Sequence, residues 1–160
     1  SQKRGDRMAD NNKPLLAKDD GAQNPIETRH KNRLKDAVNK VKEKLGKEIL
    51  IFDGGMGTEI QKTGYKAGKY PEEINIDAKD IIIKIHEDYL NAGADFITTN
   101  TFGANRHKLA GAKYDLKEIL DAALENVFEA KRKSGREDVY IALDMGPVGQ
   151  LLEPLEAFGS

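Results

Sequence analysis

The chain holds 160 residues, 33% of them charged and 38% hydrophobic, with 26 Lys plus Arg set against 27 Asp plus Glu. A balance that even gives no electrostatic pull toward nucleic acid or an anionic membrane, and no apolar run reaches the ~18 residues of a membrane-spanning helix. With no Cys there is no disulfide, thiol nucleophile or thiolate metal ligand, and His30, His86 and His107 share no metal-ligand spacing. These exclusions predict a cytoplasmic protein without a complete metal site of its own.

Residues 1–32 are rich in Lys, Arg, Asp, Asn and Gln, with Leu15, Leu16 and Ile26 almost their only large aliphatic residues. Too little apolar surface is available there to offset chain entropy, which predicts a disordered charged tail. Residues 33–160 read as the folded part. Leu34, Val38, Val41 and Leu45 recur at helical spacing, with Gly46 as a stop. The run Ile49-Leu50-Ile51-Phe52 is short and continuously apolar, as in a buried parallel strand. It enters Asp53-Gly54-Gly55-Met56-Gly57-Thr58, which reads as a loop too Gly-rich for regular structure. Pro71-Glu72-Glu73 reads as a helix start or loop feature. Asp77 is then the expected N-cap of a helix carrying Ile82, Ile85 and Tyr89 and ending at Asn91-Ala92-Gly93. A second strand spans 95–99. A helix through Leu116, Ile119, Ala123 and Val127 stops near Gly135, and a third strand covers 139–143.

Helices alternating with strands predict an α/β fold with a parallel sheet. The unusual residues (53–58, 99–105 and 144–149) all follow strands. That is the edge where parallel α/β proteins carry their chemistry, above all in a (β/α)8 barrel. Three glycines within 54–57 let backbone N–H groups approach a carboxylate or phosphate, and Asp53 beside them suits an amine. The pair fits an amino-acid zwitterion better than a polyphosphate, since no Gly-Lys-Ser/Thr follows. A tight turn that needs glycine for its own dihedrals explains the same residues. Asn100 and Thr101 either orient a polar ligand or cap the next helix. His86, between Ile82 and Tyr89, reads as a packing residue, and a lone Asp144 at a strand end is weak support for a general base. No catalytic group is identifiable from the residues themselves.

Four ordered stretches resemble the homocysteine S-methyltransferase family: 51–59, 71–75, 93–105 with its Thr99-Asn100-Thr101-Phe102-Gly103-Ala104-Asn105 core, and 144–149. The likeness runs from about Lys47 to Pro154. The Thr-Asn-Thr-Phe-Gly-Ala-Asn form is most similar to the homocysteine domain of cobalamin-dependent methionine synthases and of bacterial enzymes fused to a methylenetetrahydrofolate reductase. Gly55 and Tyr65 resemble the betaine-using branch. The resemblance implies a TIM barrel, of which about three βα units are present, and methyl transfer to the thiol of homocysteine to give methionine. It implies that Asp53 and the amides around Gly54, Gly55 and Met56 hold the amino-acid end, that Thr99 helps at the carboxylate, and that Asn100 and Asp144 line the pocket. The family's zinc, which lowers the thiol pKa, is held by three cysteines that this chain lacks. Zinc would thus be held by the later strands of the barrel or by a complementing chain, and cobalamin and methyltetrahydrofolate, where used, by downstream domains, leaving this chain without a catalytic or metal-binding residue and inactive in isolation. A non-catalytic amino-acid-binding module and one half of a split enzyme are the alternative readings.

Overall fold

The computed structural model describes residues 25–147. By its internal contacts the chain divides into two units, residues 1–40 and residues 41–160. In the first unit the described residues are helical, forming most of α1 (Pro25–Lys44). This helix starts eight residues before the expected boundary at 33, because Pro25 pre-sets the first-turn φ and Lys42 and Lys44 suit the negative end of the dipole. The rest of the expected tail, 1–24, lies outside the described residues.

In the second unit, Gly46 at φ 78 ends α1 as its position predicts. The segment 49–52 runs alongside β1 (Phe96–Thr98) but forms only one isolated parallel bridge, Phe52 to Phe96, where a full strand was expected. Side chains have taken over part of the ladder. The Ile51 amide donates to Asp95 Oδ2 (2.9 Å), while the Ile51 carbonyl accepts from both the Asp95 and Phe96 amides. β1 pairs in parallel with β2 (Tyr140–Ala142) in the register Phe96–Tyr140, Ile97–Ile141 and Thr98–Ala142.

The Gly-rich stretch is not all loop, for α2 (Met56–Lys62) begins inside it with Gly55 as N-cap. After a 3-10 turn at Pro71–Glu73 come α3 (Ile74–Asp77) and α4 (Lys79–Asn91), separated by a break at Ala78. Asp77 therefore closes α3 and does not cap α4. Its carboxylate instead accepts from Lys113 Nζ (2.8 Å) and the Tyr114 hydroxyl (2.7 Å), bonds that hold it below the usual aspartate range. α5 (Leu116–Ser134) carries a complete capping box, Asp115 with Glu118, and stops at Gly135 with φ 68.

α4 and α5 cover one face of the two-stranded sheet. Their apolar residues Ile83, Leu90, Val127 and Ala130 close with Ala94, Ile97 and Val139 into the core. Alternation along β1 then sends Phe96 and Thr98 to the other face. There Phe52, Phe96 and Tyr140 form a stacked ladder, with centroids 4.3 and 5.1 Å apart, and Phe52 remains 57% exposed.

His86 is fully buried on α4, as a packing residue, and neither ring nitrogen has a hydrogen-bond partner among the described residues. Burial alone pushes its pKa down to about 4. The folded state thus refuses a proton that the unfolded chain accepts near 6.5. Its contribution to stability is complete above pH 6.5 and is lost as the pH falls toward 4. Denaturant titrations should show a loss of about 2–3 kcal/mol from this group between pH 7 and 4.5. The variant His86→Leu should lack that part of the acid slope.

Candidate functional site

The ends of segment 49–53, β1 and β2 bring three loops together at one edge of the sheet. Successive amides in a strand point to opposite sides, so Thr99 N–H donates to Ala142 of β2 while Thr98 N–H faces segment 49–53. The Thr98 amide donates to Asp53 Oδ2 and the Thr98 hydroxyl to Asp53 Oδ1, each at 2.8 Å. Both carboxylate oxygens are thereby fixed. Asp53 is half-buried, and desolvation is the main cause that raises its pKa above the ordinary aspartate value. The bonds from Thr98 oppose the rise, and the nearby charge of Asp144 adds to it. Neither carboxylate forms an ion pair among the described residues. Asp53 and Asp144 thus make an edge of negative potential that a small cation would relieve.

Gly54 and Gly55 follow Asp53, both exposed, and their amides meet no acceptor among the described residues. None of Gly54, Gly55 and Gly57 has positive φ, so the dihedral explanation of these glycines does not hold. At Gly54 close packing explains the residue, since a Cβ there would lie 2.8 Å from the Tyr89 hydroxyl and 3.1–3.2 Å from its ring. At Gly57 nothing lies within 4 Å of an added Cβ. Nothing in the described chain itself requires glycine there. Met56 is half-buried in the first turn of α2.

Across the edge, Thr99 and Thr101 are each only 2% exposed. Thr99 Oγ1 lies 2.7 Å from Thr101 Oγ1 and accepts from the Asp144 amide at 3.1 Å, while Thr101 Oγ1 donates to the Asp144 carbonyl at 2.6 Å. Thr101 caps no helix. Asn100 is held through its carbonyl, which accepts from Asn75 Nδ2 at 2.8 Å, and Asn75 is in turn anchored by Asn126 of α5. The expected helix-start residue Glu72 takes the Gly103 amide at 2.9 Å. Behind Asp144, the Gly146 amide donates to the Phe102 carbonyl, and a Cβ at Gly146 would meet that oxygen at 2.4 Å. The predicted residues Asp53, Gly54, Gly55, Thr99, Asn100 and Asp144 lie on the three loops at this edge, and Met56 opens α2 directly after the first of them. Val148 and Gly149 lie outside the described residues. Thr98, Thr101 and Asn75 organise the site: Thr101, expected to orient a ligand or cap a helix, instead holds the Asp144 carbonyl, while Thr98 holds Asp53 and Asn75 holds Asn100.

The profile for Homocysteine S-methyltransferase matches residues 50–159. The chain belongs to the homocysteine S-methyltransferase family. It is similar to the methionine synthase of Mycobacterium tuberculosis, at 31% identity over 115 residues, covering 64% of this chain and 10% of that protein. To the methionine synthase of Mycobacterium leprae it is 30% identical over 117 residues, covering 66% of this chain and again 10% of that protein. The chain thus spans about a tenth of the length of these curated relatives. Among solved structures it resembles the homocysteine methyltransferase MmuM from Escherichia coli. The metallated form gives a TM-score of 0.57 at 23% identity and the oxidized form 0.57 at 25%, each covering 66% of this chain and 40% of that one. The family's α/β arrangement is therefore shared over about two thirds of this chain.

Two glycine variants separate packing from ligand access. Gly54→Ala should lower stability by about 1–3 kcal/mol as the Tyr89 ring is displaced. Gly57→Ala, inside α2, should leave stability unchanged or raise it by up to about 1 kcal/mol. Thermal unfolding of the two variants beside the parent measures both.

Proposed function

We propose that residues 33–160 form the first part, about three βα units, of a (β/α)8 barrel whose loop edge binds homocysteine, in a longer protein that transfers a methyl group to the homocysteine thiol and releases methionine. The observation that carries the reading is Asp53, a carboxylate fixed by two bonds from Thr98, its pKa raised by burial, with no cation to pair with among the described residues. An α-ammonium group fits that position. It would accept the field of Asp53 and Asp144 together, while the exposed amides around Gly54, Gly55 and Met56 receive the α-carboxylate. Thr99, Asn100 and Asp144 would form the opposite wall. The exposed Phe52–Phe96–Tyr140 ladder, on the face away from the helices, suits the interior of a barrel completed by further strands.

The residues present do not fit the zinc that the family implies. The sequence has no Cys, and no three His, Asp or Glu side chains converge among the described residues. Zinc, and any cobalamin or methyltetrahydrofolate, would be held by the remainder of the protein or by a complementing chain. In the transfer the thiol loses its proton, the sulfur–methyl bond forms and the bond from methyl to donor breaks. What the residues of this chain supply is position, holding the amino-acid end so that the thiol reaches the reacting centre. No helix of the described residues is long and apolar enough to cross a membrane, and we place the reaction in the cytoplasm.

Calorimetry on the intact protein tests the assignment. Asp53→Asn should weaken homocysteine binding by about ten- to a hundredfold, the worth of a hydrogen bond to a charged group. Because the pKa of Asp53 is raised, wild-type affinity should fall on acidification at a higher pH than an ordinary aspartate would give. Unchanged affinity in Asp53→Asn would sink the assignment. The isolated 160-residue chain should form no methionine. Turnover by that chain alone would contradict the proposal, whereas homocysteine binding without turnover by the intact protein would favour a non-catalytic binding module.

A further inference from the structure

We infer that Thr101 is a positioning residue of the proposed homocysteine site, closing a hydrogen-bond ring with Thr99 that fixes the main chain of Asp144 from both sides. The ring follows from counting protons. Thr101 has one hydroxyl proton, and it goes to the Asp144 carbonyl at 2.6 Å. The 2.7 Å contact between the two threonine hydroxyls is therefore donated by Thr99. The Asp144 amide then donates to Thr99 Oγ1 at 3.1 Å. Three bonds run from the Asp144 N–H through Thr99 and Thr101 back to the Asp144 C=O. Both hydroxyls are almost fully buried, where such a chain is stronger than in water.

Two consequences follow for the site. Thr99 has no proton left to give a carboxylate, since its amide is bound to Ala142 and its hydroxyl to Thr101. Its role passes through Asp144, and the carboxylate end of the substrate falls to the glycine amides. Second, the amide and carbonyl of Asp144 are both tied, so its side chain leaves the sheet edge from a fixed main chain and keeps its charge beside Asp53. The inference rests on the homocysteine reading only for what the ring positions; the ring itself is read from contacts within this chain.

The test uses the intact protein and the variants Thr101→Val, which keeps the shape and removes the hydroxyl, and Thr101→Ser, which restores it. Homocysteine affinity by calorimetry should fall about tenfold in Thr101→Val and return to within about twofold of wild type in Thr101→Ser. Amide hydrogen exchange at Asp144 should speed up about tenfold in Thr101→Val and recover in Thr101→Ser. A purely structural threonine would lower the melting temperature without changing the affinity of the folded protein. Wild-type affinity in folded Thr101→Val, or equal impairment in Thr101→Ser, overturns the inference. If the intact protein binds no homocysteine, the reading of the substrate fails, but exchange at Asp144 still decides the ring. If Thr101→Val does not fold, the unmodified protein decides it: an Asp144 amide protected well beyond the open loop amides supports the ring, and one exchanging at their rate overturns it.

Discussion

Two hydrogen bonds from Thr98 into the carboxylate of Asp53 hold the site to the sheet. Segment 49–52 has a single bridge to β1, closed by the Phe96 amide on the Ile51 carbonyl and the Asp53 amide on the Phe96 carbonyl, and the side-chain bonds add to that short ladder. The aspartates on either side supply those bonds. Asp95 takes the Ile51 amide, and Asp53 takes the Thr98 amide in the place where a neighbouring main-chain carbonyl would stand. Everything after Asp53 inherits that anchoring, including the exposed glycine amides and the first turn of α2. Tyr89 packs against Gly54 from α4 and links the same loop to the helical layer.

A carboxylate so placed works against the fold. Partial burial and the charge of Asp144 both disfavour its ionised form, so the free protein is less stable with Asp53 charged than an exposed aspartate would leave it. A folded-state pKa above the unfolded one means that this group's contribution is complete at low pH and is lost as the pH rises through the folded value. Groups held at such a cost cluster at sites where a ligand removes it. An ammonium beside the two carboxylates does so, while several other polar groups of the edge are already committed within the chain. The threonine pair, Asn75 and Glu72 commit their bonds to loops, leaving Asp53, Asp144 and the glycine amides to face outward.

The sequence made the helices legible where local chemistry sets them. Gly46, Gly93 and Gly135 stop their helices in the left-handed conformation, and the apolar spacing of α4 and α5 places the core. Asp77 misled because its neighbours in space outweighed its neighbours in sequence. Lys113 and Tyr114, far along the chain, occupy the carboxylate that spacing had assigned to a cap. The strand at 49–52 was over-read for a similar reason, since an apolar run does not reveal that Asp95 will intercept a ladder bond. Within the site, the clustering of chemistry after strands was readable from alternation alone. The division of labour was not. Which threonine donates and which accepts depends on the return of the 144–146 loop across 43 residues of chain, information that no local motif carries.

The proposed binding at this edge turns on Asp53 as the receptor of an ammonium group. The most direct measurement is a carbon NMR titration of the Asp53 side-chain carboxyl in the intact protein, free and with saturating homocysteine. The free protein should titrate above the ordinary value of 3.8, and bound homocysteine should shift that midpoint down, because the ammonium favours the charged carboxylate. A midpoint that does not move on saturation would contradict the role given to Asp53.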